Sequence, residues 1–215
     1  MRQIGKRALV AASAILLPWS GLASEDAMAR CRSALPQCPV DTSVGTYAVD
    51  GGFNVRCETA SRGANGPMAV CDLAGNLLAI ITFKGGVKDG LFTVYYPSGG
   101  KKTERQFSND QPDGWTTEYY ESGQISGRAH YRKGKKDGVQ TDYFESGVKR
   151  AEAAYHNGVQ DGRTVGFYAN GSKESEGEFR DGKPNGEWKH WAEDGSLESV
   201  VVFHDGAEVE RRSPE

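Results

Sequence analysis

The chain has 215 residues and a formal net charge of −3, with Lys and Arg spread along its length. A mildly acidic chain lacks the clustered basic residues that bind phosphate backbones, so the composition excludes nucleic acid as an expected partner. No stretch after residue 23 is apolar and long enough to span a membrane, and we expect no transmembrane segment in the mature chain.

Residues 1–23 have the composition of a signal peptide. Three basic residues precede an apolar run at 8–17, and small residues stand just before the expected cleavage after Ala23. Ten apolar residues are too few to cross roughly 30 Å of hydrocarbon as a helix, which favours cleavage over permanent anchoring. We therefore predict a periplasmic or secreted protein. Removing three basic residues and no acidic one changes the net charge from −3 to −6.

The four cysteines, Cys31, Cys38, Cys57 and Cys71, precede the regular part of the sequence. An even number in an exported chain indicates two disulfides, for which three connectivities are possible. We favour Cys31–Cys38 with Cys57–Cys71, because the repeat period places Cys57 and Cys71 on neighbouring strands and on the same face. A zinc site is the alternative, but the spacings lack a C-x-x-C pair, so no metal is expected.

Five sequence units follow one another with a period of 24 residues. Each unit begins with Asp-Gly or Asn-Gly and closes on a second glycine. A pair of aromatic residues stands five and six positions after the first glycine in four units, and the fifth has Trp191-Ala192 there. Apolar or small residues alternate with polar ones, as in 124–131, which predicts strands. We interpret Glu121–Gly123 as a hairpin loop and the Asp-Gly stretch as the turn into the next unit. The predicted turn residues are Asp89, Gly90, Asp113, Gly114, Asp137, Gly138, Asp161, Gly162, Asn185 and Gly186.

The pattern predicts an all-β fold, a single-layer antiparallel ribbon of stacked β-hairpin repeats with a disulfide-stapled N-terminal cap. A two-stranded hairpin is too small to be stable alone, and stacking on neighbours supplies the missing contacts. We place the leader and cap at 24–64, with a short helix near its start, and the repeats at 65–206. A polar tail at 207–215 is expected to fray.

The register assigns side chains to the two faces of the ribbon. With the loop at 121–123, Tyr119 opposes Ile125 and Tyr120 opposes Gln124. The apolar face then holds Tyr119, Trp115, Ile125, Ala129 and Tyr131. The polar face holds Tyr120, Glu118, Ser126, Arg128 and His130. A bulge of one residue would exchange these faces, so both assignments stay open.

The unit Asp-Gly-x-x-x-x-Tyr-Tyr-x-x-Gly, continued by an aromatic-x-x-Gly, resembles the MORN repeat and is most similar to the bacterial variant known as the YwqK-type antitoxin repeat. The aromatic residue usual two positions after the first glycine is present as Phe92 and Trp188. It is replaced at Thr116, Gln140 and Thr164. The resemblance implies a β-hairpin ribbon and non-enzymatic roles in protein binding, assembly or membrane association.

Residues capable of catalysis or metal binding are not grouped by the sequence. The four histidines have no H-x-x-x-H spacing, and there is no Gly-x-Ser-x-Gly motif. One Asp in every 24 residues leaves a calcium ion short of the six to eight oxygens that it prefers. We predict no catalytic residue, no cofactor and no metal, and hence no enzyme.

The candidate partner-binding face consists of one aromatic residue from each hairpin: Tyr96, Tyr120, Phe144 and Tyr168. Stacked rings on an open sheet can bind another chain, a glycan or a lipid headgroup, or can simply stabilise neighbouring strands. The leading hypothesis is an exported interaction module for a protein partner. The alternatives are a lipid- or glycan-surface binder of the cell envelope, which the interleaved Lys and Arg favour, and an antitoxin-like protein, which only the family resemblance suggests.

Overall fold

The computed structural model describes residues 23–60 and 63–213, which form one open antiparallel sheet of 16 strands and one helix. Strands that follow one another in the sequence pair in the sheet, except that the two-residue β9 pairs with β8 and lies off the main path. The predicted all-β ribbon of stacked hairpins is confirmed. The predicted signal peptide, up to residue 22, lies outside the described residues.

The strands are β1 (Ser43–Val49), β2 (Gly52–Glu58), β3 (Ala64–Asp72), β4 (Leu77–Lys84), β5 (Val87–Tyr95), β6 (Lys101–Ser108), β7 (Gln111–Tyr119), β8 (Ile125–Arg132), β9 (Lys135–Lys136), β10 (Gly138–Tyr143), β11 (Lys149–His156), β12 (Val159–Phe167), β13 (Lys173–Arg180), β14 (Lys183–Trp191), β15 (Leu197–His204) and β16 (Ala207–Arg212).

The helix α1 (Glu25–Ser33) covers one face of the sheet at its N-terminal end, and we call this side of the sheet the helix face. Ser24 caps α1, because its hydroxyl oxygen accepts a hydrogen bond of 3.1 Å from the amide of Ala27. The buried cluster under α1 consists of Ala27, Cys31, Phe53, Val55, Ala69 and Cys71. The cap therefore has a two-layer core of helix on sheet, which the sequence did not predict.

Two disulfides hold this cap, but the favoured pairing is wrong: the bonds are Cys31–Cys71 and Cys38–Cys57. Cys71 pairs in the sheet with Phe53, four residues away from Cys57 along β2. At about 3.3 Å of rise per residue, two cysteines so placed are too far apart for a disulfide, although they share a face. Cys31 of α1 instead bonds to Cys71 of β3, and Cys38, in the segment after α1, bonds to Cys57 of β2.

The predicted position of the turns between units is also wrong. The turns are two-residue pairs with positive φ at both positions, such as Asn157–Gly158 (φ 50° and 89°), which is type I′ chemistry. They come before the residues predicted as turns. Those residues lie within or beside the strands: Asp89, Gly90, Asp113, Gly114, Asp137, Gly138, Asp161, Gly162, Asn185 and Gly186.

The Asp-Gly pairs mark β-bulges. Between β6 and β7 the register shifts where Gly114 lies, at a φ of 110°. A Cβ added to Gly114 would lie 3.1 Å from the Cβ of Gln106. Two features therefore require glycine at position 114: its φ is positive, and the Gln106 side chain leaves no room for a Cβ.

A second bulge decides which side chains share a face. Tyr119 opposes Ile125 as predicted, but Glu118 opposes Gly127, so Ser126 is the extra residue. Trp115 consequently pairs with His130. Trp115, Tyr119 and Ile125 lie with Arg128 and His130 on the helix face, whereas Ala129 and Tyr131 lie on the opposite face. The bulged alternative is thus the correct one.

The ribbon continues further than the sequence suggested. The tail was expected to fray, but residues 207–212 form β16, which pairs with β15. Arg211 and Arg212 also form ion pairs with Glu208 and Glu210. In 23–60 and 63–213, no helix has the length and hydropathy to span a membrane.

Candidate functional site

A row of directly paired residues crosses the helix face from the cap to the far end of the ribbon. We call it the central row, and it consists of Val55, Ala69, Ile80, Thr93, Glu104, Thr117, Arg128, Thr141, Glu152, Val165, Glu176, Lys189 and Val200. Directly opposed residues of antiparallel strands point to the same side of the sheet, so the whole row lies on the helix face. The cap covers its first members, and α1 does not extend over the rest.

Beside the central row, three apolar side chains at equivalent positions of successive units remain exposed. They are Leu91, Trp115 and Val139, which are 44%, 47% and 51% exposed, and we call them the apolar row. Each lies two residues before a member of the central row, and thus on the helix face. In the next two units the same position is occupied by Arg163 and Glu187, so the apolar row ends at Val139.

A groove connects the apolar row to the cap. It has a volume of about 360 Å³ and lies between the segment that follows α1 and strands β3 to β6. Pro36, Pro67, Ile80, Leu91 and Tyr95 are among the residues that line it. The Cys38–Cys57 disulfide fixes the chain next to Pro36, so one wall of the groove is covalently held in place.

The charges of the central row are mostly neutralised within each unit. Glu104, Glu152 and Glu176 each accept a hydrogen bond from a lysine three residues earlier, with N–O distances of 2.8, 2.6 and 2.6 Å. These ion pairs neutralise Glu104 and Glu152, whereas Glu176 pairs with a second base, Arg163, as well.

Hydrogen bonding shifts the pKa of two of these carboxyl groups. Burial raises the pKa of Glu104, but the bonds from Lys101 and from the Tyr119 hydroxyl at 2.5 Å outweigh it and lower the pKa below 4.5. The pKa of Tyr119 is raised above 10.0 by burial and by this carboxylate. The bond from Lys173, joined by one from Arg163, lowers the pKa of Glu176.

Arg128 breaks this pattern. It occupies the position that Glu104, Glu152 and Glu176 hold in other units, and Ile125 replaces the lysine three residues before it. Its guanidinium lies 4.8 Å from the centre of the Trp115 ring, and the His130 ring meets the same tryptophan edge-on at 5.2 Å. Within 23–60 and 63–213, no carboxylate lies within ion-pair distance of Arg128. A basic group therefore lies exposed in the middle of the apolar row.

The aromatic residues predicted as the binding face have a structural use. The Tyr120 hydroxyl donates a hydrogen bond of 2.6 Å to the backbone carbonyl of Tyr143 in the next unit. Tyr96 and Tyr168 make the same bond, at 2.7 Å to Tyr119 and 2.8 Å to Trp191. Tyr96, Tyr120, Phe144 and Tyr168 are half-buried at the hairpin ends, where they connect neighbouring units. Their part in binding a partner stays a prediction.

The opposite face of the sheet is packed by rings at its ends. Trp188 meets Phe179 and Phe203 edge-on, at 5.2 and 6.0 Å between ring centres. Its indole lies directly on Gly177. In the middle of the ribbon, where Thr116 and Gln140 replace the aromatic residue, this face carries a small polar depression of about 120 Å³.

Histidines and acidic residues do not converge on one point. Across residues 23–60 and 63–213, no three His, Cys, Asp or Glu side chains are close enough together to hold a metal ion. His130 lies against Trp115, and His156 lies 3.4 Å from the carboxylate of Asp137. These contacts hold strands together and create no cradle for a reacting atom.

Sequence reasoning overlooked the apolar row and the role of Arg128. The row could have been found by aligning the units, because Leu91, Trp115 and Val139 are 24 residues apart. The exchange of Glu for Arg at position 128 is visible in the same alignment. Their common face could not be recognised without the bulge at Ser126.

Comparison with known proteins agrees with the architecture. Residues 88–109 and 112–133 match the sequence model of the family described as the MORN repeat variant, whereas a search of curated proteins finds no match to the chain. The matched residues span β5 to β8 and include two members of the apolar row, Leu91 and Trp115. The YwqK-type assignment stays a prediction. Residues 88–133, which form β5 to β8, are thus two repeats similar to the MORN repeat variant.

Proposed function

We propose that this protein is an exported, non-catalytic module that binds another protein through the open part of its helix face. The observation that carries the proposal is the apolar row, which continues the groove beside the cap and whose middle member, Trp115, contacts the Arg128 guanidinium. Apolar side chains arranged contiguously on an otherwise polar surface mark interaction sites. Tryptophan and arginine are the residues most enriched at the centres of such sites.

The charge pattern favours a protein over a lipid surface. The Glu–Lys pairs along the central row cancel, and Arg128 is the one basic member of that row beside the apolar row, because Lys189 lies five strands away on β14. Anionic membranes attract clusters of basic residues, at about 1 kcal/mol for each one near the surface. A single arginine beside a tryptophan fits a carboxylate on a protein better. Vesicles of anionic lipid that sediment the protein in a salt-dependent way would favour the alternative of a lipid surface.

Two charge reversals test the face that binds. Arg128→Glu places a carboxylate in the apolar row, and Lys136→Glu makes the same change on the opposite face, where the Lys136 ammonium lies 4.9 Å from the Tyr155 ring centre. We expect Arg128→Glu to reduce recovery of a partner from envelope extract at least tenfold, and Lys136→Glu to leave it unchanged. Equal recovery with both variants would contradict the proposed face.

Export is supported by the two disulfides, which form in oxidising compartments, and by the composition of residues 1–23. Cell fractionation of the full chain and of a chain that lacks residues 1–23 tests this part. We expect the full chain outside the cytoplasm with no free thiols, and the shortened chain in the cytoplasm with four. A full chain retained in the cytoplasm would contradict export. The antitoxin-like role stays a prediction that the family resemblance alone suggests.

A further inference from the structure

The two ends of the sheet differ in how they protect their unpaired backbone groups. The terminal strand β16 has charged side chains at four of its six positions, and all six residues are exposed. Such charges discourage another strand from pairing. The other terminal strand, β1, contains Ser, Val, Gly, Thr, Tyr, Ala and Val and has no charge. Within residues 23–60 and 63–213, β1 pairs with β2 alone.

The backbone groups that β1 leaves open follow from its pairing. Val49 and Gly52 flank the two-residue turn between β1 and β2, so they form a hydrogen-bonded pair. Hydrogen-bonded and non-bonded pairs alternate in an antiparallel ladder. Odd-numbered residues of β1 therefore bond to β2. Val44, Thr46 and Ala48 direct their amides and carbonyls away from the sheet.

We propose that β1 pairs with β1 of a second copy of this protein, antiparallel and centred on Thr46. In this register Val44 opposes Ala48 of the partner subunit, Thr46 opposes Thr46 of the partner subunit, and Ala48 opposes Val44 of the partner subunit. Each of these three pairs joins outward-pointing backbone groups and can exchange two N–H···O bonds. Because the arrangement is symmetric, one strand supplies both halves of the interface.

The side chains of β1 suit this register on both faces. Val44, Thr46 and Ala48 lie on the helix face, since they pair with Cys57, Val55 and Phe53 of β2. Their cross-strand contacts in the dimer are apolar or between two threonines, both of which are favourable in sheets.

On the other face of β1, Tyr47 would oppose Gly45 of the partner subunit. In each copy the Tyr47 ring and the Glu58 carboxylate fill the space above that copy's own Gly45, so the two tyrosine rings would lie side by side. Val44 and Val49, which are 43% and 46% exposed in one copy, would be partly covered in the dimer. β1 carries no charge of its own, but the Arg32 guanidinium of each copy bonds to Thr46 at the centre of the interface, and the repulsion between these two groups keeps the dimer weak.

The dimer would also place two binding faces together. Residues that oppose each other across antiparallel strands point to the same side, so the helix faces of both copies lie on one side of a continuous sheet. An elongated partner could then contact two apolar rows at once, which raises its apparent affinity without new contacts. The seven-residue strand buries less than the roughly 1,200 Å² of a standard interface, so we expect a weak, concentration-dependent dimer.

Analytical ultracentrifugation of the oxidised mature protein between 1 and about 200 µM tests the proposal. We expect the mass to rise from one chain to two over this range. Thr46→Lys places two ammonium groups opposite each other and should weaken the dimer at least tenfold. Thr46→Val, which also loses the 3.1 Å hydrogen bond from Arg32, should retain it.

Val209→Lys provides the control at the other end of the sheet, where Val209 is 61% exposed. It should leave the dimer intact, and thermal unfolding of every variant verifies that the cap is folded. A wild-type protein that stays monomeric at about 200 µM would overturn the proposal. A dimer that survives Thr46→Lys, or one that Val209→Lys abolishes, would overturn the assignment to β1.

Discussion

The cap and the ribbon share one continuous sheet, yet the helix face is buried in the cap and exposed in the ribbon. In the cap, α1 covers this face and buries Phe53, Val55 and Ala69 to 3% exposure or less. In the ribbon no second layer covers the same face within residues 23–60 and 63–213, and Leu91, Trp115 and Val139 remain about half exposed. The difference shows that the sheet can be covered on this side, and that α1 covers one end of it. The open stretch next to the cap is where we place the partner.

The two regions are also stabilised by different means. The cap has a closed core and two covalent bonds, whereas the ribbon depends on contacts between each strand and its neighbours. In the ribbon those contacts are edge-to-edge rings, Glu–Lys pairs and tyrosine hydroxyls bonded to the next unit. Changes in the cap should therefore unfold it as one body, and changes in the ribbon should act locally.

The largest expected effect comes from the disulfide between α1 and β3. Replacing Cys31 and Cys71 with serine opens a loop of 40 residues, which corresponds to about 4 kcal/mol of lost stability in the chain-entropy model. Denaturant unfolding with hydrogen exchange measures this loss. Exchange should accelerate in β2 and β3 and stay slow in β12 to β14. Uniform acceleration would show that cap and ribbon unfold together.

A smaller effect is expected where Trp188 lies on Gly177. A Cβ at position 177 would be 2.3 Å from the indole ring, so Gly177→Ala should displace the ring and cost about 1–3 kcal/mol. Gly100→Ala is the matched control, because its Cβ would meet only the carbonyl oxygen of Glu121, at 3.8 Å. Thermal unfolding should separate the two variants. Equal melting temperatures would contradict ring packing as a source of ribbon stability.

The hydrogen bonds from tyrosine hydroxyls to the next unit predict that removing one lowers the stability of the protein and that adding one raises it. Tyr120→Phe removes the 2.6 Å bond to the Tyr143 carbonyl and should lower the free energy of unfolding by about 1 kcal/mol. Phe144 occupies the equivalent position one unit later and lacks the hydroxyl. Phe144→Tyr should add the bond to the carbonyl of Phe167 and raise stability by up to about 1 kcal/mol. Opposite or absent changes would show that these hydroxyls do not hold the units together.

The smallest change in the free energy of unfolding is expected when the pH is lowered. The folded-state pKa values of Glu104 and Glu176 are lowered below 4.5, so their ion pairs contribute stability above about pH 4.5 and lose it as the pH falls through the folded pKa. Pairs this exposed are worth about 1 kcal/mol or less. Glu104→Gln should flatten the decrease in stability between pH 6 and pH 3. An unchanged pH profile would contradict this contribution.

Much of the fold could be predicted from the sequence because its signals are local. The alternation within strands and the serine at the start of α1 reflect contacts within a few residues, and the 24-residue period repeats the same local pattern in each unit. The disulfide partners of Cys31 and Cys38 could not be predicted, because they depend on how α1 and the segment after it dock on the sheet. The turns were predicted at the wrong positions because Asp-Gly is common both in turns and in bulges. In the structure Gly114 lies in a bulge, where the Gln106 side chain packs directly over it.

The site was predicted less well than the fold. The paired aromatic residues were chosen because they recur in four of the five units, yet in three of those units the second ring serves to bond one unit to the next. The exposed surface arises where the units differ, at Trp115 and Arg128. In a repeat protein the constant positions build the scaffold, and the departures from the repeat mark the candidate site.

Photo-crosslinking at two adjacent residues tests the central claim most directly. Val139 lies on the helix face within the apolar row, and Gln140 lies next to it on the opposite face. A benzophenone amino acid at position 139 should yield a covalent adduct with the partner in cells that export the protein, and the same group at position 140 should yield none. Adducts from position 140 alone, or from neither position, would contradict binding through the open helix face.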